Sequence, residues 1–293
     1  MLRTPPPGRR TLAAYLNLIR FQHTLFALPF AYMGMLLAAD GWPGWSTFAW
    51  ITLAMAGARS FAMAVNRILD RQIDAANPRT ADRELPRGVL GVGDALLLAL
   101  FGLLSFIVAG LALNPLTAAL LPIAALFMGL YPLIKRFSWW CHGWLGVTIG
   151  AAAPGGYIAV SGSFDATAWW LWLAVGSWIA GFDIVYALLD EAFDRAFGVH
   201  SVPARFGAVV AVWVARGAYL VSLAALLMVA WSAGLGLFYL LAVAVVATLF
   251  FFQHRWLARE GAAVALQAFD ANLIIGAVVL AGVIAELLRA AIS

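Results

Sequence analysis

Cysteine occurs once in this chain of 293 residues, at Cys141, and lysine once, at Lys135. A lone cysteine has neither an internal disulfide partner nor a second thiol for a zinc site, which excludes disulfide scaffolds and zinc modules. Charge is scarce as well: 11% of residues are Asp, Glu, Lys or Arg, against about 25% in a soluble domain. With 64% apolar residues and a mean hydropathy of +0.92, too few polar side chains remain to coat a globule in water. A soluble enzyme, a disordered chain and a nucleic-acid-binding protein are excluded on that ground, despite a pI near 9.6. What remains is an integral membrane protein, with the lipid bilayer as its main partner.

A helix needs about 20 mostly apolar residues to cross the hydrocarbon core. Nine such stretches lie near 14–38, 47–70, 94–113, 116–134, 142–160, 167–189, 208–230, 235–254 and 267–289. Runs such as Ala95–Leu113 and Leu235–Phe252 do not alternate in polarity, so helices and not barrel strands are expected. The first stretch follows a basic start, but no small-residue cleavage pattern follows it, and it is expected to stay as a helix. Cations are placed asymmetrically. Arg3, Arg9 and Arg10 precede the first span; Arg71, Arg79, Arg83 and Arg87 follow the second; Lys135 and Arg136 follow the fourth. Arg195 and Arg205 lie between spans six and seven, Arg255 and Arg259 between eight and nine, whereas 40–46, 114–115, 161–166 and 231–234 contain no Lys or Arg. The positive-inside rule then puts the N-terminus and the basic connections in the cytoplasm and the C-terminus outside, as in a cell (inner) membrane.

Scattered acids (Asp40, Asp94, Asp165, Glu260, Asp270, Glu286) fall at expected helix ends or connections. A second group is organised. One motif, residues 66–74, reads Asn66-Arg-Ile-Leu-Asp70-Arg-Gln-Ile-Asp74; the other, 183–194, reads Asp183-Ile-Val-Tyr186-Ala-Leu-Leu-Asp190-Glu191-Ala-Phe-Asp194. Spacings of four and seven place Asn66, Asp70 and Asp74 on one helical face, and Asp183, Asp190 and Asp194 on another. Stacked carboxylates repel unless a cation lies among them, and an oxygen-only set suits Mg²⁺ completed by substrate phosphates. Interfacial caps neutralised by Arg67, Arg71 and Arg195 would account for either motif alone. They account poorly for two motifs on the same side.

The first motif resembles the N-x-x-x-D-x-x-x-D signature of UbiA-type intramembrane prenyltransferases, and the second their D-x-x-Y-A-x-x-D-x-x-x-D signature. The run Gly198-Val-His-Ser201-Val-Pro203-Ala-Arg205-Phe-Gly207 is similar to the family's stretch after the second motif, and Tyr131-Pro132 with Lys135-Arg136 resembles its turn between helices four and five. The resemblance covers nearly the whole chain. It implies one polytopic domain over 1–293, an all-α bundle of nine transmembrane helices around a central cavity open to the cytoplasmic side. It also implies that a polyprenyl diphosphate ionises and alkylates an aromatic ring. No obligate protein partner is inferred.

On that resemblance Asp70, Asp74, Asp190 and Asp194 hold Mg²⁺, with Asn66 and Asp183 in support. Arg79, Arg83, Lys135 and Arg136 clamp the diphosphate, followed by Arg71 and Arg67, each of which has a neighbouring aspartate to neutralise. Tyr186 offers an aromatic face to the allylic cation, ahead of Tyr131, Phe182 and Phe193. Arg59 lies seven residues before Asn66 on the same face, and an intramembrane arginine is costly unless paired. Two readings stand for it: a structural pair with Asp70, or a bidentate partner for an acceptor carboxylate. His23 either meets the acceptor hydroxyl or satisfies a neighbouring helix, and Asn66 lies next to the acceptor as well as the metal. The F-Q-H-T-L-F-A-L-P segment and D-E-A-F-D spelling are similar to a bacterial subgroup of 4-hydroxybenzoate type. Some of its members use 1,4-dihydroxy-6-naphthoate for menaquinone instead of making ubiquinone. Outside the family, CDP-alcohol phosphotransferases concentrate their acids in a D-x-x-D-G motif that is missing here. A cation-coupled transporter would place its acids near the midplane.

Overall fold

The computed structural model describes residues 10–261 and 265–292, with side chains except those of 21–26, 265–271 and 273. Helices dominate, and no strand occurs among the described residues. In chain order they are α1 (Leu12–Leu18), α2 (Phe21–Ala39), α3 (Trp45–Ala76), α4 (Val92–Leu113), α5 (Pro115–Ile134), α6 (Cys141–Gly150), α7 (Ala152–Ser161), α8 (Ala166–Ala187), α9 (Glu191–Phe197), α10 (Val202–Ser232), α11 (Leu237–Glu260) and α12 (Ala265–Ile292). Eight helical segments among the described residues are long and apolar enough to cross a membrane, with α6–α7 and α8–α9 each counted as one. Many apolar side chains face outward, including Leu97, Phe101, Val209 and Leu241. In water such a surface would aggregate; against lipid it is the expected exterior.

Three expected segments are more broken than their hydropathy implies. The first apolar stretch divides at Arg20, which takes a left-handed conformation (φ 50°) between α1 and α2. The fifth bends at Ala151 between α6 and α7. The sixth ends in a tight 3₁₀ turn at Leu188–Asp190 before α9. By contrast, the expected start of the seventh span agrees with a real feature. Gly207, at φ 82° inside α10, separates a short first turn from the long helix beyond it, and only glycine adopts such a φ without penalty.

Helix α3 sets the length scale. Its 32 residues would extend about 48 Å at 1.5 Å per residue, well beyond a hydrocarbon core of about 30 Å. Its C-terminal turns, which carry Asn66, Asp70 and Asp74, therefore stand at one end of the bundle. Small residues let its neighbours approach closely. A Cβ on Gly57 would lie 2.6 Å from the Gly102 carbonyl of α4, and one on Gly34 of α2 would lie 2.0 Å from the Ala153 carbonyl of α7. Gly57→Val is expected to force α3 and α4 apart at a cost of about 2 kcal/mol, read as a lower Tm in detergent than for the parent protein. An unchanged Tm would show that this close approach contributes nothing.

Candidate active site

The last turns of α3 form one continuous α-helix, so Asn66, Asp70 and Asp74 share a face as their spacing requires. Asp70 and Asp74 are almost wholly enclosed, 1% and 4% exposed. The Asn66 amide donates to Asp70 Oδ2 at 2.8 Å, and Lys135 Nζ, from the turn after α5, donates to the same oxygen at 2.5 Å. Asp74 Oδ1 accepts from Arg83 at 2.6 Å, while buried Arg67 stands 3.8 Å from Oδ2 and donates to the Leu18 carbonyl of α1. Two buried carboxylate oxygens are left without a hydrogen-bond partner: Asp70 Oδ1 and Asp74 Oδ2.

The second motif is not the single helical stripe its spacing predicts. Asp183 lies on α8, Asp190 in the 3₁₀ turn and Asp194 on α9. The turn redirects the chain so that Asp190 meets the connection after α3. Arg79 donates to both Asp190 oxygens, through Nε at 2.9 Å and through Nη2, and its Nη1 reaches the Tyr186 hydroxyl at 2.8 Å. Its guanidinium carbon also lies 5.0 Å above the Tyr186 ring. The aromatic face expected to meet an allylic cation therefore already meets a guanidinium. Burial opposes the Arg79 charge, yet the hydrogen bond to Asp190 and the neighbouring Tyr186 outweigh it and hold the pKa above the ordinary arginine value. Asp194 is buried.

Sequence reasoning missed two members. Asn77, at the end of α3, donates to Asp190 Oδ1 at 3.0 Å while its own carbonyl oxygen accepts the Arg79 N–H at 2.9 Å. An Asn-Pro pair reads locally as a turn signal, and nothing in it announces the Asp190 contact. His142, at the start of α6, lies 2.7 Å from Asp183 Oδ2 through Nδ1. A solitary histidine in an apolar helix carries no spacing signal at all.

The remaining candidates divide. Arg136 donates to the Leu69 carbonyl and Arg71 to the Ile68 carbonyl; both side chains are on the exposed edge of the site. Phe193 stacks on Phe197 and Phe182 lies beside Trp178. Arg59 is half-buried, and its Nε is enclosed without a hydrogen-bond partner. Among the described residues Asp70 pairs with Lys135 and Asn66, and no Arg59–Asp70 pair occurs. The His23 side chain lies outside the described residues. Several scattered acids act as the helix caps expected of them: Asp94 accepts the Gly91 N–H, and Asp165 those of Thr167 and Ala168.

Four elements thus converge at one end of an apolar helical bundle, with buried carboxylates held opposite Lys and Arg. A membrane-embedded enzyme for a charged, phosphate-bearing substrate is the class that fits. The match of residues 27–278 to the UbiA prenyltransferase family model makes it specific: this chain belongs to that family and is a prenyltransferase. A protein named 4-hydroxybenzoate octaprenyltransferase from Herminiimonas arsenicoxydans is 31% identical, over 94% of this chain and 98% of its own length. The apo structure of a UbiA homolog from Aeropyrum pernix K1 superposes with a TM-score of 0.84 at 30% identity, covering 91% of this chain and 98% of that one. A second UbiA homolog, from Archaeoglobus fulgidus and bound to DMAPP and Mg²⁺, shares the fold with a TM-score of 0.71 at 17% identity, over 92% and 99% of the two chains.

Proposed function

We propose that this chain is one polytopic domain that transfers a polyprenyl group from its diphosphate to the ring of 4-hydroxybenzoate, in respiratory quinone synthesis. The observation that carries the proposal is the crossed pairing of Lys135 with Asp70 and of Arg79 with Asp190. It brings two acidic motifs and the cations for a diphosphate to one end of the bundle. The named activity of the Herminiimonas relative supports the acceptor. Nine spans, with α2 as the first, give a cavity opening toward the cytoplasm, and the basic connections orient the protein in the inner membrane with its C-terminus outside. The prenyl tail leaves sideways into lipid.

The residues fit Mg²⁺. Among described residues no ready-made cluster of three His, Cys, Asp or Glu ligands exists, but Asp70 Oδ1 and Asp74 Oδ2 are buried oxygens without a hydrogen-bond partner. These two aspartates, with Asp190 and Asp194 opposite, would hold the metal, and Asn66 and Asp183 flank them. When bound, Mg²⁺ neutralises charge that develops on the departing diphosphate. The chain's own residues do the rest. Lys135, Arg83 and Arg79 each neutralise an aspartate and can turn their charge to the phosphate oxygens, with Arg67, Arg71 and Arg136 around them. The allylic C–O bond breaks with both electrons leaving on the diphosphate, a ring carbon of the acceptor bonds to the allylic carbon, and a ring proton is lost. Tyr186, with its hydroxyl fixed by Arg79, bounds the space in which the allylic carbon is exposed. Arg59 holds the acceptor carboxylate beside Asn66.

The test is transfer by the purified protein of labelled farnesyl diphosphate to 4-hydroxybenzoate, with 1,4-dihydroxy-6-naphthoate in parallel. Product is expected with the benzoate, to vanish with EDTA and to return with Mg²⁺. Product with the naphthoate alone would move the protein to menaquinone synthesis, and ion flux without product would make it a transporter.

A further inference from the structure

His142 is buried, 4% exposed, and both of its ring nitrogens are engaged. Nδ1 lies 2.7 Å from Asp183 Oδ2, and Nε2 lies 3.1 Å from the backbone nitrogen of Val202. A backbone N–H can only donate, so Nε2 is the acceptor and carries no proton. Nδ1 then bears the ring proton and donates it to Asp183. Val202 opens α10, where the first N–H groups lack an intrahelical acceptor. Ser201 caps Ala204, the next residue, Pro203, has no N–H, and His142 takes the one from Val202.

The same turn is stitched to this segment twice more. The His200 N–H donates to the Lys135 carbonyl at 2.7 Å, and Cys141 Sγ lies 3.3 Å from the His200 carbonyl. The 135–142 turn thus presents Lys135 to Asp70 on one side and His142 to Asp183 on the other. One rigid piece of backbone registers the first aspartate of the second motif against the first motif.

We propose that His142 is a positioning residue for prenyl transfer: as the Nδ1–H tautomer it holds Asp183 through Oδ2 and fixes the orientation of its carboxylate. The proposal rests on the prenyltransferase reading above, and neutral imidazole is the form that can bridge a donor and an acceptor in this way. Glutamine can reproduce both bonds, its amide donating to Asp183 and its carbonyl accepting from Val202. Methionine fills similar volume and makes neither.

His142→Gln is therefore expected to keep kcat within a few-fold of the parent. His142→Met should lose kcat by about 30-fold, the scale of a lost supporting hydrogen bond, with both KM values unchanged. In an Asp183→Ala background, His142→Met should cost nothing further. Independently of turnover, ¹⁵N-histidine spectra of the intact protein in micelles should show the Nδ1–H tautomer for His142 as well as for His254, whose Nδ1 lies 3.1 Å from the Phe250 carbonyl, and only the His142 signal should be absent from His142→Gln. Equal losses in the Gln and Met variants, an additional loss in the Asp183→Ala background, or an Nε2-protonated His142 would overturn the proposal. A parent protein without prenyl transfer would overturn the functional reading instead, and the spectra would still decide the hydrogen-bond assignment.

Discussion

Asp70→Asn is expected to reduce kcat/KM for prenyl transfer by about 10³-fold, equivalent to roughly 4 kcal/mol of lost transition-state stabilisation. The geometry explains why so small a change costs so much. Asp70 Oδ2 accepts from both Asn66 and Lys135, while Oδ1 is buried and unpartnered. An asparagine has one oxygen and one NH₂ group. If its oxygen takes the Oδ2 place, a donor points where a metal ligand is needed. If the group flips, the NH₂ faces the Lys135 ammonium and the Asn66 amide, donor against donor, and both partners lose their acceptor. Neither orientation restores the charge. The side chain keeps its size, so the helix should hold, and an unchanged Tm would separate loss of chemistry from loss of fold. Single-turnover assays with labelled farnesyl diphosphate read the effect directly. Activity within tenfold of the parent would remove Asp70 from the metal site.

The contrast between the two motifs shows what local sequence can and cannot specify. Asn66, Asp70 and Asp74 lie on an unbroken helix, so spacing alone placed them correctly. Asp190 and Asp194 follow a 3₁₀ turn at Leu188–Asp190 that contains neither Gly nor Pro. The turn is stabilised by contacts far along the chain, from Arg79 and Asn77 to Asp190, and periodicity does not register those. Arg20 is similar: a non-glycine residue at positive φ splits the first apolar stretch with no local cue. The Gly198 end of α9, at φ 75°, is the opposite case, a glycine stop of the usual kind. Helices and their apolar faces were legible because lipid rewards the same side-chain property along a whole span. His142 was not legible because its role depends on two partners, Asp183 and Val202, that are 41 and 60 residues away.

Arg59→Ala is expected to raise the KM for 4-hydroxybenzoate by about 100-fold, near 2.7 kcal/mol, and to leave the KM for the prenyl diphosphate at its parent value. Arg59 lies seven residues, about 10 Å of helix rise, deeper than Asn66. Its Nε is enclosed and has no hydrogen-bond partner, and no ion pair to it exists among the described residues. A guanidinium at that depth costs several kcal/mol when left unpaired, and Asp70 takes Lys135 and Asn66 on Oδ2 and makes no pair with Arg59. An anion from outside the chain is the partner that resolves this, and a planar carboxylate matches the guanidinium fork with two parallel bonds. Arg59→Lys keeps the charge without the fork and should fall between the parent and the alanine variant. The methyl ester of 4-hydroxybenzoate supplies the sharper comparison. It should be a poor acceptor for the parent protein, and the preference for acid over ester should collapse in Arg59→Ala. A preserved acid preference, or an acceptor KM that does not move, would place the carboxylate elsewhere and leave Arg59 without a role in acceptor binding.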